Sequence, residues 1–487
     1  MKYLLFLPIL IPLFAACYIY LHPFADARER DRFTLAAVGL NSLLVLLLIL
    51  LRPTGTVTVL HLYYDITIAL KLDGLGVVFL ALIGFLWPLA TSYAFEYMEH
   101  EHELPRFFAF YVACYGITAG VALSANLVTM YFFYEMLTMA TVPLVAHEWD
   151  RRATAAGRKY MIYSIGGAAA SFVGIVILYR YGAISDYVYG GVLTAESADR
   201  NILLLGYMLT FIGFGVKAAI FPLHGWLPTA GVAPTPVTAL LHAVAVVKSG
   251  VFASIRSTFY SFGPEFLAGS WAQTATMIIA AVTIVYGSSM ALREQHMKRR
   301  LAYSTVSNLS YILFGMTLLT SAGLTAALSH MLFHGIMKIT LFFCAGTILC
   351  KTEREYTTQM EGLGQKMPLT WATFTLAGLA LTGAPRLPGF ISKMNLLTAA
   401  VEQGSATAML GIAALMISAL LTGAYLLPLA VRAFVPRKGA EFVFTEKDRD
   451  PGLRMLVPFA ILCLAMVIFG IHSAPLMHAL EALVTGA

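Results

Sequence analysis

Fourteen stretches of the chain are apolar over the length, about 20 residues, that a helix needs to cross a bilayer. They lie near 3–21, 33–51, 74–94, 106–123, 126–146, 160–181, 202–221, 234–257, 271–292, 301–320, 324–350, 369–402, 406–434 and 453–476. The pattern predicts an all-α polytopic membrane protein of about 14 transmembrane helices. Two of the stretches are interrupted. In 202–221 the interruption follows Lys217, where Pro222 lacks an N–H and its ring would clash with the carbonyl of Ala218. In 369–402 it is LTGAPRLPGFISK, with Pro385, Pro388 and Gly389 just ahead of Lys393. One interruption in each half suggests an internal duplication with two ion sites, since broken helices bring backbone dipoles to a midplane site. One short segment, HLYYDITIALKLDGLG at 61–76, alternates β-formers with polar residues and predicts a hairpin.

Composition agrees with a membrane domain occupying the whole length. Of 487 residues 59% are hydrophobic and 12% charged, against roughly 25% charged in a soluble chain. Lys and Arg divide unevenly between the two sets of loops, 21 on one, Lys298 among them, and 6 on the other, Arg256 among them. The richer set is predicted cytoplasmic, so both termini face out. The net charge of +6 then needs no nucleic-acid partner. The first apolar stretch is longer than a signal peptide's core, and another span follows, so it reads as an uncleaved helix. The five cysteines are scattered without a CxxC, which gives no pattern for an iron–sulfur or zinc centre. No metal or cofactor is expected. No loop exceeds about 24 residues, too short for a soluble catalytic domain. The loop near 430–453 is charged and either packs on a neighbour or the head groups, or is a solvated linker.

The candidate chemistry lies in the ionisable groups inside these spans. Glu135 is the one acid in the central part of a span, and Lys217 and Lys248 lie inside apolar runs. A lysine at membrane depth marks an ion pathway; the alternative is a side chain snorkelling to an interface. Pairing lowers the cost of burying opposite charges, so Glu135 is expected to meet Lys217, a protonated glutamate on a backbone carbonyl being the alternative. His330, His334 and Lys338 recur at i, i+4, i+8 and so share one helix face. They form a candidate proton wire, because histidine titrates near neutrality; bonds to neighbouring helices would also explain them. A metal pair there lacks a nearby acid or third ligand. Lys393 mirrors Lys217 in the second half. His224 sits at the helix break, where it either caps freed carbonyls or acts at a channel mouth, and His242 precedes Lys248 by six residues, off its helix face, and is given only a weak role. In order, Glu135, Lys217, Lys248, His330, His334, Lys338 and Lys393 make a row of proton-transfer candidates. No GxxxxGK[ST] loop or nucleophile–base motif accompanies them.

The pieces GVKAAIFPLHGWLP, APTPVTALLHAVAVVKSGVF, REQHMKRRLAYSTVSNLSYI, LSHMLFHGIMKITLFFCAG, GLGQKMPLTW and LPGFISK run in order through the chain. Together they resemble the antiporter-like subunits of respiratory complex I, membrane-bound hydrogenases and Mrp cation/proton antiporters, in the shorter 14-helix form. The resemblance implies two inverted five-helix repeats, each with a broken helix. Their bounds are 106–257 and 271–434, preceded by helices 1–3 in 1–105 and followed by a cytoplasmic loop and helix 14 in 435–487. It implies Glu135 and Lys217 as the pair of the first half-channel and Lys248 as the connecting lysine. It also implies His330, His334 and Lys338 as the central axis and Lys393 as the lysine of the second half-channel. The expected function is that of a proton-translocating subunit of a redox-driven ion pump in a bacterial or archaeal cytoplasmic membrane. Its partners would be further antiporter-like membrane subunits, protons or sodium, and the bilayer, with no redox or hydrolytic site on this chain. The alternative is a D-type subunit of an Mrp Na⁺/H⁺ antiporter. One departure stands out. Thr229 and Gly231 occupy the loop positions where many relatives carry an acid and a histidine.

Overall fold

A computed structural model describes residues 2–63, 66–182, 186–193, 199–437, 444–446 and 448–485. Parts of the 61–76 and 430–453 segments, residues 64–65, 438–443 and 447, lie outside the described residues. The chain is 79% helical. In chain order the helices are α1 (Leu7–Leu21), α2 (Ala27–Leu51), α3 (Gly74–Tyr97), α4 (Leu104–Leu123), α5 (Leu127–Val145), α6 (Arg151–Tyr181) and α7 (Arg200–Lys217). After these come α8 (Trp226–Thr229), α9 (Thr235–Ala243), α10 (Val246–Arg256), α11 (Pro264–Leu267), α12 (Trp271–Arg293), α13 (Met297–Thr317) and α14 (Ser321–Thr352). The last are α15 (Pro368–Thr382), α16 (Pro388–Gln403), α17 (Ala406–Phe434), α18 (Leu453–Ile471) and α19 (Ala474–Thr485).

Eleven of these helical segments, the Thr235–Phe262 run counted as one, are long and apolar enough to span a membrane. This is a multi-pass membrane architecture. The three remaining predicted spans are helical but fall short of that standard for physical reasons. Helix α7 carries Arg200 and Lys217 at its two ends, which lowers its hydropathy; α13 opens on Lys298, Arg299 and Arg300 and carries Ser304, Ser307, Asn308 and Ser310 along its length; α15 and α16 are 15 and 16 residues separated by a break. Helix starts follow local chemistry. Asp26, Asp73, Asn126, Asp150, Ser270, Thr320 and Ser405 each accept a backbone N–H of the first turn, filling donors a helix leaves open. Gly383 and Gly404 end α15 and α16 with positive φ.

The layers sort by burial. The α9–α10 run and α14 form the centre, whereas α2 turns Leu40, Leu43, Leu46 and Leu50 outward. An exposed apolar rim of this kind suits a lipid surface rather than water. The hairpin is present but starts earlier than predicted. β1 (Val57–Tyr63) pairs antiparallel with β2 (Ile66–Leu70), Val57 opposite Leu70. It ends at residue 70 because Asp73 caps α3. Its Ala69 N–H donates to Thr129 Oγ1 at 2.9 Å, tying it to the start of α5.

Two breaks organise the interior. Helix α7 stops at Lys217 itself, five residues ahead of Pro222. The freed carbonyl of Val216 accepts from Trp226 Nε1 at 2.7 Å, and Phe221 N–H donates to Thr283 Oγ1 at 3.0 Å. Irregular backbone at membrane depth needs such partners. Helix α10 crosses this break at Gly250, where a Cβ would press on the Ala218 N–H and the backbone of Lys217. Gly389 meets the Ala380 carbonyl in the same way at the second break. Gly250→Ala is therefore expected to lower stability by about 1–3 kcal/mol, the usual range for overpacking. Thermal unfolding of the detergent-solubilised complex measures it. A third break was not foreseen. The predicted helix 234–257 divides at 244–245, where Leu240 O accepts from both Val244 N–H and Ala245 N–H at 3.1 and 2.8 Å.

Candidate functional site

Lys217 is fully buried at the end of α7, with its Nζ 3.7 Å from Glu135 Oε1 on α5. The same ammonium donates to the Tyr134 carbonyl and lies 3.3 Å from the Tyr134 ring centroid. The lysine thus has two alternative supports, the carboxylate and the face and carbonyl of Tyr134. Glu135 Oε1 has no hydrogen-bond partner among the described residues, and the side chain is 22% exposed. The ion pair is loose on the glutamate's side and tight on the lysine's, which lets it open without stranding the lysine. Tyr134 was not singled out from the sequence, although it directly precedes Glu135.

The remaining predicted residues gather around α14. His330, His334 and Lys338 all lie on this helix and all are fully buried. Lys248 Nζ, from α10, lies 2.8 Å from His334 Nδ1. Between an amine and an imidazole the shared proton can sit on either nitrogen without movement of heavy atoms. The His334 and His330 rings stack with centroids 5.8 Å apart. His330 Nδ1 is 2.9 Å from Ser392 Oγ, and its ring stacks on Tyr311 at 5.1 Å. Ser392 adjoins Lys393 on α16, and the Lys393 Nζ lies 5.5 Å from that same Tyr311 ring. Lys393 donates to the carbonyls of Leu381 and Thr382 at 2.7 and 3.0 Å. It caps the broken end of α15, where the helix dipole favours a cation. Lys338 turns away from the histidines, donating to Leu301 O at 3.0 Å and to Ser304 Oγ at 2.8 Å. Ser304 in turn accepts from Tyr425 OH at 2.6 Å.

These contacts make one continuous group, Lys248, His334, His330, Ser392 and Lys393, with Lys338 branching from the same helix. Glu135 and Lys217 form a separate pair. The two are joined through backbone, because Gly250, two residues from Lys248, packs on Lys217. Among the described residues, no carboxylate lies within the 4.0 Å ion-pair distance of Lys248, Lys338 or Lys393. Three buried cations without acids repel one another, so protonating one disfavours the next.

The histidines left open in the sequence resolve differently. His242 is fully buried between the carbonyls of Thr238 and Leu227, at 2.7 and 3.2 Å. His224 stacks on Phe221 and meets Tyr286 edge-on at the break, and its Nδ1 has no partner among the described residues. Two other charges differ from the sequence reading. Arg256, taken for a loop cation, is fully buried and paired with Asp73. Lys298, likewise taken for a loop cation, is 6% exposed and donates to Ala233 O at 3.0 Å. Outside this interior, Glu101, His102 and Glu148 bring ligand-type atoms within 4.8 Å of one another at the surface. Clusters of this kind are common without an ion.

Residues 124–422 match the family described as NADH:quinone oxidoreductase/Mrp antiporter, TM, and residues 61–108 match complex I chain 5 N-terminus. NADH-quinone oxidoreductase subunit N of Desulforudis audaxviator is 32% identical over 425 residues, covering 83% of this chain and 82% of that protein. A probable K(+)/H(+) antiporter subunit of Rhizobium meliloti is 33% identical over 420 residues; these cover 84% of this chain but only 41% of that longer protein. In fold, a chain of the membrane-bound sulfane sulfur reductase, an archaeal respiratory membrane complex, superposes with a TM-score of 0.86 at 22% identity, covering 98% of this chain and 96% of that one. The chain belongs to the NADH:quinone oxidoreductase/Mrp antiporter transmembrane family.

Proposed function

We propose that this chain is a proton-translocating, antiporter-like membrane subunit of a multisubunit redox-driven ion pump. The observation that carries this reading is the buried row itself. A loose Glu135–Lys217 pair stands beside a run of lysines and histidines in hydrogen-bond and ring contact, with no acid among the described residues to hold their charge. When the pair is closed, Glu135 stabilises the Lys217 ammonium. When it opens, that stabilisation goes and the lysine's charge is disfavoured, which drives a proton onward. Lys248 connects, His330, His334 and Lys338 form the axis, and Lys393 serves the second half. The chain works as 14 spans with two inverted repeats, α4–α10 and α12–α17, each built around a broken helix. The loops richer in Lys and Arg face the cytoplasm and both termini face out, in a bacterial or archaeal membrane.

The test is proton uptake by vesicles containing the assembled complex. Glu135→Ala is expected to leave assembly intact and to reduce coupled transport at least about fivefold, near 1 kcal/mol of barrier. Normal pumping in assembled Glu135→Ala vesicles would sink the reading. Replacing sodium by choline during the assay separates the ions carried. Oxygen-rich sites suit sodium, and only one acid lies in the row, so the rate is expected to hold without sodium.

A further inference from the structure

A cleft of about 750 Å³ opens on the face whose loops carry the basic excess. Its walls come from the 99–103 turn, the start of α6, the 229–234 bend and the start of α13. Thr229 and Gly231 supply no acid there, but Glu101, Glu148 and Glu355 line the same space from neighbouring loops. Lys298 lines it too, although it is only 6% exposed. Partial burial, with the Glu148 carboxylate beside it, pushes the Glu101 carboxyl up. His102, 3.9 Å from Glu148, and His100 oppose this, and on balance Glu101 keeps its proton to a higher pH than a lone surface glutamate would.

Inward of Lys298 the polar contacts continue. The Ala233 carbonyl that accepts from Lys298 also accepts from Thr238 Oγ1 at 2.9 Å. The Thr238 carbonyl contacts His242 Nδ1 at 2.7 Å, and the other ring nitrogen of His242 contacts the Leu227 carbonyl at 3.2 Å. Along α13 the step is equally short. Three and six residues beyond Lys298, Leu301 O and Ser304 Oγ hold Lys338. One helix thus has a cleft-lining amine at its start and the partners of the buried axis one to two turns on.

We propose that Lys298 is the proton-loading residue between this cleft and the buried row at Lys338. The inference rests on the proton-translocation reading above. The Lys298 ammonium gives one proton inward past His242 toward Lys338. Its neutral amine then takes a proton from the Glu101–Glu148 pair, which recovers one from water in the cleft.

The decisive variant is Lys298→Arg in the complete complex, assayed for proton transport in vesicles beside Glu135→Ala. Arginine keeps the charge and a donor for Ala233 but does not release its proton. Lys298→Arg is expected to assemble and to transport at least about fivefold more slowly, whereas a purely structural role predicts the wild-type rate. A wild-type rate overturns the inference. If Glu135→Ala also transports normally, the underlying reading falls with it; if Glu135→Ala is impaired, the inference falls alone. The double variant Glu101→Gln with Glu148→Gln leaves Lys298 untouched and covers a failure of Lys298→Arg to assemble. Its transport is expected to fall at least about twofold at pH 8 and less at pH 6, where bulk protons replace the collecting pair. No loss at pH 8, or an equal loss at both pH values, overturns the loading role of the cleft.

Discussion

Lys248→Met is expected to cut coupled proton transport about twentyfold or more, close to 2 kcal/mol at the usual conversion, in a complex that still assembles. Lys248 bonds directly to another member of the row, with Nζ 2.8 Å from His334 Nδ1. It also lies two residues from the glycine that packs on Lys217, so it is the junction between the loose pair and the α14 axis. In the proposed mechanism Glu135 adjusts the energy of a carrier, whereas Lys248 is itself a carrier, so the loss of Lys248 is expected to have the larger effect. Folding is expected to tolerate the change. Replacing a buried charge by an apolar side chain of similar volume is often neutral or stabilising. The remaining cost is the unpaired His334 nitrogen, about 1–3 kcal/mol. Lys248→Arg makes the contrast sharper. It retains a cation at the junction but holds its proton, so it is expected to transport as poorly as the methionine variant. Proton uptake in vesicles, normalised to assembled complex, reads both. Transport near wild type in either one removes Lys248 from the path.

Much of this arrangement was legible in the sequence because the bilayer imposes length. An apolar run of span length has few other uses, and inside one each ionisable residue stands out. That logic singles out Glu135, Lys217, Lys248, the His330–His334–Lys338 stripe and Lys393 from the sequence alone, and the structure puts Glu135 beside Lys217 and Lys248 beside His334. The logic fails where polarity comes from ordinary neighbours. Tyr134 supports Lys217 through its ring and carbonyl, and neither looks unusual in YFFYEM. Ser304 and Ser392 read as small helix residues until their partners are known. Position near a boundary misled in the other direction. Lys298 in REQHMKRR and Arg256 at the end of the 234–257 run read as cations of the loop faces, because sequence alone does not show what folds over a helix end. The helix break moved from Pro222 to Lys217 for a related reason. The close crossing of Gly250 and the Trp226 bond to Val216 fix where the helix ends, and both come from elsewhere in the chain.

Arg256→Met is expected to destabilise the protein by about 3–5 kcal/mol, the range for removing one partner of a buried ion pair. Arg256 is fully buried at the end of α10 and makes two bonds to the Asp73 carboxylate, one of them 2.6 Å long. The rings of Tyr187, Phe252 and Tyr260 surround its guanidinium within 5.0 Å. Asp73 has a second task, since its carboxylate accepts the Gly76 N–H at 2.9 Å and caps α3. Burial raises the Asp73 carboxyl, but the Arg256 charge and these hydrogen bonds outweigh it and hold the group below its ordinary range. A depressed folded-state value means the contribution is fully present above the unfolded value, near 4, and is lost only as pH falls below it. The methionine variant should therefore lose stability throughout the neutral range. The double variant Arg256→Met with Asp73→Asn removes both charges and keeps an N-cap side chain. It is expected to recover at least about half of the loss, because the penalty in the single variant is mainly that of a carboxylate stripped of its cation. Thermal unfolding of the purified complex at pH 7 measures the cycle. If the double variant is no more stable than Arg256→Met, the guanidinium matters through its aromatic cage, and the loss should then be reproduced by removing Tyr187 and Tyr260 with Asp73 intact.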